Sequence, residues 1–180
     1  MPSERHNRLA EAGLVWLRNK LTGRGLRGGF EVPVADGYVA DAVGLGTFQW
    51  RYAATYIGED KLPQEIEGVL VPEVACIFEA KATRSDFLAT FGNGDRHENR
   101  KYPIGDLHWA VCTRKIAEPG ELPDFWGLLV TRGGGLQELK PPIYYPVSQS
   151  TLDHIAYQVL WYAKNSHEPF ARGVYDTLEH

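Results

Sequence analysis

Residues 73–82 read Glu-Val-Ala-Cys-Ile-Phe-Glu-Ala-Lys-Ala, which is the clearest strand pattern in the sequence. Residues 74–78 are all apolar, which is typical of a β-strand covered on both faces. Side chains alternate along a strand, so Glu79 and Lys81 should point to one face while Phe78 and Ala80 point to the other. The stretch therefore predicts a buried strand that ends in a pair of opposite charges.

The flanking sequence predicts further strands and three helices. A hairpin is expected from residues 30–34 and 38–45, with Asp36-Gly37 in the turn. The other predicted strands are residues 107–113, 126–131 and 136–140. The predicted helices are residues 3–21 with Ser3 as N-cap, a short helix to residue 91 capped by Ser85 or Asp86, and residues 151–164. This order indicates an α/β (α+β) protein with a central mixed β-sheet flanked by helices.

The composition indicates an ordinary globular protein, since 43% of the 180 residues are hydrophobic and 23% are charged. No apolar run approaches the roughly 20 residues that a membrane-spanning helix needs. Charged residues near the N-terminus interrupt any secretory pattern: Glu4, Arg5 and Arg8. We therefore expect a cytoplasmic protein with no membrane partner. The net charge of −4 argues against a protein that coats nucleic acid, but it permits an enzyme that acts on it.

One aspartate interrupts a second apolar run, because residues 38–43 read Tyr-Val-Ala-Asp-Ala-Val. If this strand lies beside residues 73–82, Asp41, Glu79 and Lys81 meet at one end of the sheet. Two carboxylates with open positions between them suit Mg²⁺, which completes its shell with water and substrate phosphate. A nearby ammonium can orient the attacking water and neutralise developing charge, so the trio suits phosphodiester hydrolysis.

Each of these residues also has a structural explanation. Glu79 and Lys81 alone indicate an ion pair at the end of a sheet, since buried charges need partners. Asp41 alone indicates an aspartate that faces solvent or an edge strand. The hydrolytic interpretation depends on the three residues occurring together.

The combination resembles the signature of the PD-(D/E)XK nuclease superfamily, in which an Asp on one strand is followed by Glu-x-Lys on the next. The surrounding residues look like those of the MmcB-type bacterial DNA-repair proteins of that superfamily. The similar segments are residues 79–88, 100–102, 107–111, 122–123 and 126–130.

The resemblance implies a restriction-endonuclease-like fold, dependence on Mg²⁺ or Mn²⁺, and cleavage of DNA. It assigns Asp41 and Glu79 as metal ligands and Lys81 as the catalytic lysine. Many members of the superfamily add a further catalytic glutamate. Here Glu31 matches best, and Glu11 on the first helix is the second choice.

Two segments depart from the family pattern. Residues 46–70 make the gap between the two carboxylate strands long and are predicted to be an insertion. Residues 101–107 are shorter than the aromatic-rich turn usually found there. We predict one nuclease-like domain over residues 1–177, followed by a tag remnant at residues 178–180.

Three basic residues are predicted to bind the nucleic-acid backbone: Arg84, Arg100 and Lys101. Contacts of this kind position a strand without reading its sequence. The alternatives are a structural role for Arg84 and a solvated position for Lys101.

Other chemically distinctive residues are predicted to be structural. The two cysteines, Cys76 and Cys112, are expected to be buried hydrophobes rather than a disulfide or zinc site. Trp109 is expected to pack in the core rather than stack on a base. The histidines, including His6, have no metal-ligand spacing and are predicted to be non-catalytic.

The sequence therefore predicts a Mg²⁺-dependent deoxyribonuclease whose partner is DNA. One alternative is a catalytically idle module that binds nucleic acid through its basic clusters. Another is a structural domain in which Asp41 and Lys81 simply pair. A homodimer is left open, because nucleases that cut both strands of a duplex often act as dimers.

Overall fold

The computed structural model describes residues 3–20, 26–35, 37–49, 54–57, 63–66, 70–92 and 103–165. The helices of this part are α1 (Glu4–Lys20), α2 (Arg84–Phe91) and α3 (Gln149–Asn165). Its strands are β1 (Arg27–Ala35), β2 (Tyr38–Gln49), β3 (Ala54–Ile57), β4 (Pro63–Ile66), β5 (Leu70–Lys81), β6 (Leu107–Cys112), β7 (Trp126–Arg132) and β8 (Gly135–Lys140).

Six of the strands form one mixed sheet in the order β1-β2-β5-β6-β7-β8. The pairs β5–β6 and β6–β7 are parallel, while β1–β2, β2–β5 and β7–β8 are antiparallel. The remaining strands, β3 and β4, form a separate two-stranded sheet. The predicted hairpins at β1–β2 and β7–β8 are both confirmed.

Helices cover both faces of the large sheet. On one face, Phe78 of β5 packs in the same cluster as Leu14 of α1. On the other face, Ile77 of β5 packs with Ile155 of α3, and α2 adds a third cluster around Phe87. This arrangement confirms the predicted α+β fold with a central mixed sheet flanked by helices.

The caps of the first two helices follow from short polar residues. The backbone N–H of His6 donates to Ser3 Oγ at 3.2 Å, which confirms Ser3 as the cap of α1. The prediction that Ser85 or Asp86 caps α2 is wrong. Thr83 is the N-cap, and its hydroxyl oxygen accepts from the backbone N–H of Asp86 at 3.1 Å. The helix begins earlier than predicted because Thr83, which still has extended backbone, already supplies the acceptor.

The residues predicted to be buried, Trp109, Cys76 and Cys112, all lie in the core. Trp109 is 1% exposed and stacks on Phe78 with 5.5 Å between ring centroids. Cys76 and Cys112 are free and buried. Burial raises the pKa of the Cys112 thiol to about 12, so this side chain stays protonated at neutral pH.

The segment predicted to be an insertion contains the outer ends of the two longest strands. β2 and β5 remain paired out to Gln49 and Leu70, and β3 and β4 lie between them in the chain. The insertion stays a prediction. Residues 166–180, which include the predicted tag remnant, lie outside the described residues. No helix of the described part has both the length and the hydropathy needed for a membrane crossing.

A buried aspartate ties the start of β6 to its neighbours. Asp106 is 2% exposed, and one carboxylate oxygen accepts from the backbone N–H of Ala75 at 2.8 Å. The other oxygen accepts from the backbone N–H of Val147 at 2.9 Å. Burial raises the pKa of Asp106, although the two N–H donors act to lower it. The side chain therefore links β5 to the segment that leads into α3.

We expect Asp106→Asn to lower the free energy of unfolding by about 1–3 kcal/mol, because an amide offers one acceptor oxygen where two N–H groups need one each. Urea unfolding at neutral pH measures the change. Asp124→Asn, at an exposed aspartate, is the control and should stay near wild type. Equal stability of the two variants would contradict the proposed link.

Candidate active site

The alternation of side chains breaks at the same level in β1 and β2. Tyr38 and Ala40 pack in the same cluster as Val43, although even- and odd-numbered residues of a regular strand face opposite ways. On β1 the corresponding residue is Glu31, whose φ of 49° is uncommon for a residue with a side chain. Asp41 lies at this break, between Ala40, which packs in the cluster under α3, and Ala42, which packs in the cluster under α1.

Asp41 lies where β2 separates from β5. The last registered pair at this end of the two strands is Ala42 with Phe78. Beyond that pair, Asp41 Oδ2 accepts from the backbone N–H of Ala80 at 2.8 Å. The carboxylate thus replaces the missing strand partner, which fixes it beside the end of β5.

Glu79 and Lys81 form a buried ion pair on the α3 side of the sheet. Lys81 Nζ lies 2.9 Å from Glu79 Oε2 and 3.9 Å from Asp41 Oδ2. Glu79 is 1% exposed and Lys81 is 5% exposed, so water screens their charges little. The structure therefore brings together the three residues that the sequence analysis combined.

Tyr38 is an unpredicted member of the site. Its hydroxyl donates to Glu79 Oε1 at 2.6 Å, and the ring is buried in the cluster under α3. Hydrogen bonds to a carboxylate are shorter and stronger than those between neutral groups. Tyr38 thus fixes the oxygen of Glu79 that faces away from Lys81.

His6 is a second unpredicted member, and it comes from α1. Its Nε2 lies 3.1 Å from Asp41 Oδ1, with the imidazole largely buried. The hydrogen bond to Asp41 raises the pKa of His6, against the opposing effect of burial. The prediction that His6 is non-catalytic rested on spacing alone, and the structure places the residue against Asp41.

The four carboxylate oxygens of Asp41 and Glu79 each contact a protein donor. Those of Asp41 contact His6 and the N–H of Ala80, and those of Glu79 contact Tyr38 and Lys81. Each oxygen of Asp41 has a second lone pair, so these contacts leave acceptor capacity on that carboxylate. Among the described residues there is no group of three or more His, Cys, Asp or Glu side chains arranged to hold a metal ion. A metal here would have two protein ligands.

The predicted third acidic residue, Glu31, is not joined to this cluster. Glu31 is exposed on β1, and within the described residues no hydrogen bond or ion pair links it to Asp41, Glu79 or Lys81. Glu11, the second choice, is half-buried on α1. The catalytic role of Glu31 stays a prediction.

Of the three residues predicted to bind phosphate, the structure describes Arg84 alone. Arg84 donates to Ile116 O at 2.8 Å and to both carboxylate oxygens of Glu121. Hydrogen bonds from Arg84 lower the pKa of Glu121 to about 2. The guanidinium is therefore engaged in a bidentate ion pair. Arg100 and Lys101 lie outside the described residues.

The spacing of apolar residues in α1 indicates in part that His6 faces the sheet. The buried stripe of α1 consists of Leu9, Ala10, Gly13, Leu14 and Leu17. His6 precedes Leu9 by three residues and Ala10 by four. That spacing places His6 on the sheet-facing stripe. Nothing in the spacing says which strand residue lies beneath it. For Tyr38, the sequence pattern showed only a buried strand position.

We expect Lys81→Met to lower the free energy of unfolding by about 3–5 kcal/mol, because it leaves Glu79 buried without its ammonium partner. The double variant Glu79→Gln/Lys81→Met should recover much of this loss, since no unpaired charge remains. Chemical denaturation of the two variants and wild type measures the coupling. A double variant no more stable than Lys81→Met would show that the two charges do not depend on each other.

The raised pKa of His6 predicts a pH-dependent contribution to stability. A raised folded-state pKa means that the stabilisation is fully present below the unfolded-state value of 6.5 and is lost as the pH rises through the folded-state pKa. In buffer without divalent cations, wild type should exceed His6→Gln in stability most at about pH 6 and least at about pH 9. A stability difference that is constant with pH would contradict the ion pair.

Comparisons with known proteins extend the description of the fold. No protein-family model matches the chain, and no curated protein matches it. A similar solved structure is that of the SPO1766 protein of unknown function from Silicibacter pomeroyi, with a TM-score of 0.54 and 14% sequence identity. The match covers 91% of this chain and 88% of that chain. At this identity, the likeness shows the fold alone.

Proposed function

We propose that this protein is a metal-dependent nuclease of the restriction-endonuclease-like, PD-(D/E)XK type, which hydrolyses DNA phosphodiester bonds. The observation that carries the proposal is the meeting of two carboxylates and one ammonium where β2 separates from β5. Lys81 Nζ lies within 4 Å of an oxygen of both Asp41 and Glu79. A role for the protein in DNA repair or processing, in the cytoplasm, belongs to the same proposal.

The donor chemistry of the pair fits Mg²⁺ or Mn²⁺. Asp41 and Glu79 offer hard carboxylate oxygens, which both ions prefer. Mg²⁺ is commonly bound by one or two carboxylates, with water and substrate phosphate completing its coordination shell. Two protein ligands are therefore sufficient, and the acceptor capacity left on Asp41 supports the assignment.

The bound ion would lower the pKa of an attacking water and neutralise charge on the phosphate. The ammonium of Lys81, held against both carboxylates, has the position to orient that water and to stabilise negative charge that develops during attack. The low exposure of Lys81 strengthens this electrostatic effect, because little water screens the charge. The hydrogen bond from the Tyr38 hydroxyl holds the carboxylate of Glu79 in its orientation.

Binding of DNA requires cations outside the acidic pair. We assign this role to Arg84, Arg100 and Lys101, which would contact phosphates. Arg84 would do so only by exchanging its bond to Glu121 for a phosphate oxygen. A homodimer is also part of the proposal, because cutting both strands of a duplex requires two active sites or a second binding event.

A second candidate is a catalytically idle module that binds nucleic acid on the same fold. One observation favours it: every oxygen of Asp41 and Glu79 already has a protein donor. A site satisfied in this way can be stable without any metal. Such a module would still bind nucleic acid through its basic residues, with an affinity that falls steeply as salt concentration rises.

We expect wild type to cleave labelled single- or double-stranded DNA in the presence of Mg²⁺ or Mn²⁺ and to be inactive in a chelator. Asp41→Asn should reduce the rate by about a hundredfold or more, because it removes a metal-binding charge. The matched control is Glu73→Gln, an exposed glutamate on the same strand as Glu79, which should retain full activity.

Two results would reject the nuclease proposal. One is the absence of cleavage by wild type with either ion while salt-sensitive DNA binding persists, which would favour the idle module. The other is cleavage that survives in Asp41→Asn at the wild-type rate, which would indicate a contaminating nuclease. Circular dichroism of each variant confirms that the fold is retained.

A further inference from the structure

The imidazole of His6 is brought to the acidic pair by a firmly packed helix. His6 lies about one turn before Leu9, where the buried stripe of α1 begins, and this stripe continues through Gly13. A Cβ atom at Gly13 would lie 2.9 Å from the Phe78 ring, so the glycine allows α1 to approach β5 closely. Because Leu9 is only 4% exposed, the first turns of the helix are anchored on the sheet. The position of His6 is therefore set by core packing.

Two donors from different elements hold the carboxylate of Asp41. His6 Nε2 lies 3.1 Å from Oδ1, and the backbone N–H of Ala80 donates to Oδ2 at 2.8 Å. One donor belongs to α1 and the other to β5, so rotation of the carboxylate would break at least one bond. The group is thus oriented before any ligand arrives.

We propose that His6 is a positioning residue that holds Asp41 in the orientation from which it binds a divalent cation. This inference rests on the proposed nuclease function. A hydrogen bond to one lone pair of Oδ1 leaves the other available to a cation. Donors of this kind orient metal-binding carboxylates, and their loss commonly lowers metal affinity by 10- to 100-fold. The active site then includes α1 as well as the two strands.

Calorimetric titration of Mn²⁺ into the purified protein tests the inference. Wild type should bind the ion, and His6→Ala should bind it at least about tenfold more weakly. His6→Gln should recover most of the affinity, because its amide nitrogen can donate to Asp41 from a similar reach. His154→Ala, at an exposed histidine on α3, is the matched control and should bind like wild type.

Cleavage kinetics supply a second measurement. If His6 acts through Asp41, the rate lost in His6→Ala should return as the Mn²⁺ concentration is raised, with kcat at saturating ion restored toward wild type. A general disruption of the fold would lower kcat at every ion concentration and would not be rescued by glutamine. Far-UV circular dichroism checks that α1 remains folded in both variants.

The outcomes separate the two proposals. Equal Mn²⁺ affinity in wild type and His6→Ala would overturn the positioning role and leave the nuclease proposal standing. A His6→Gln protein as weak as His6→Ala would also overturn it, because the donated hydrogen bond would not be the cause. If wild type binds no Mn²⁺, with or without a DNA duplex present, both proposals are overturned.

Discussion

Glu79 and Lys81 carry opposite charges that are buried at the end of β5. Because a buried charge needs a partner, this pair sets the contacts at that end of the sheet. Removing an ion from water costs several kcal/mol, so a buried pair persists only with good geometry and further hydrogen bonds. The contact of 2.9 Å between the two side chains meets the first requirement. Tyr38 contributes to the second by donating to Glu79.

The separation of β2 from β5 creates the space in which this compensation occurs. Backbone pairing stops at Ala42, and the Asp41 carboxylate takes over the N–H of Ala80. The same break in the strand pattern keeps Tyr38 on the α3 side, where its hydroxyl reaches Glu79. A local irregularity of one hairpin thus positions both an acid and the donor that supports the other acid. Glu31, with its positive φ, lies at the corresponding level of β1.

The chemistry proposed for the site depends on the same arrangement. Two carboxylates beside one ammonium have a net negative charge when His6 is neutral, which favours a cation, while the ammonium offers local stabilisation to a phosphate. The bidentate bond of Arg84 to Glu121 shows that a basic residue close to the candidate site in the sequence can be engaged in a structural contact.

A mixed sheet, its hairpins, the three helices and the strand positions of Asp41, Glu79 and Lys81 could be predicted from the sequence. The order of the strands and the separate β3–β4 sheet could not. Apolar runs, alternation and turn residues are local signals, and they report on local structure. The tertiary structure was needed to show that His6 and Tyr38 join the site and that Arg84 is held by Glu121. It also shows that Glu31 is exposed on β1. These outcomes depend on how α1 packs on the sheet and where two strands separate. The bonds of His6, Tyr38 and Arg84 join residues far apart in the chain. Local patterns can show which face a side chain is on, but they do not show its partner.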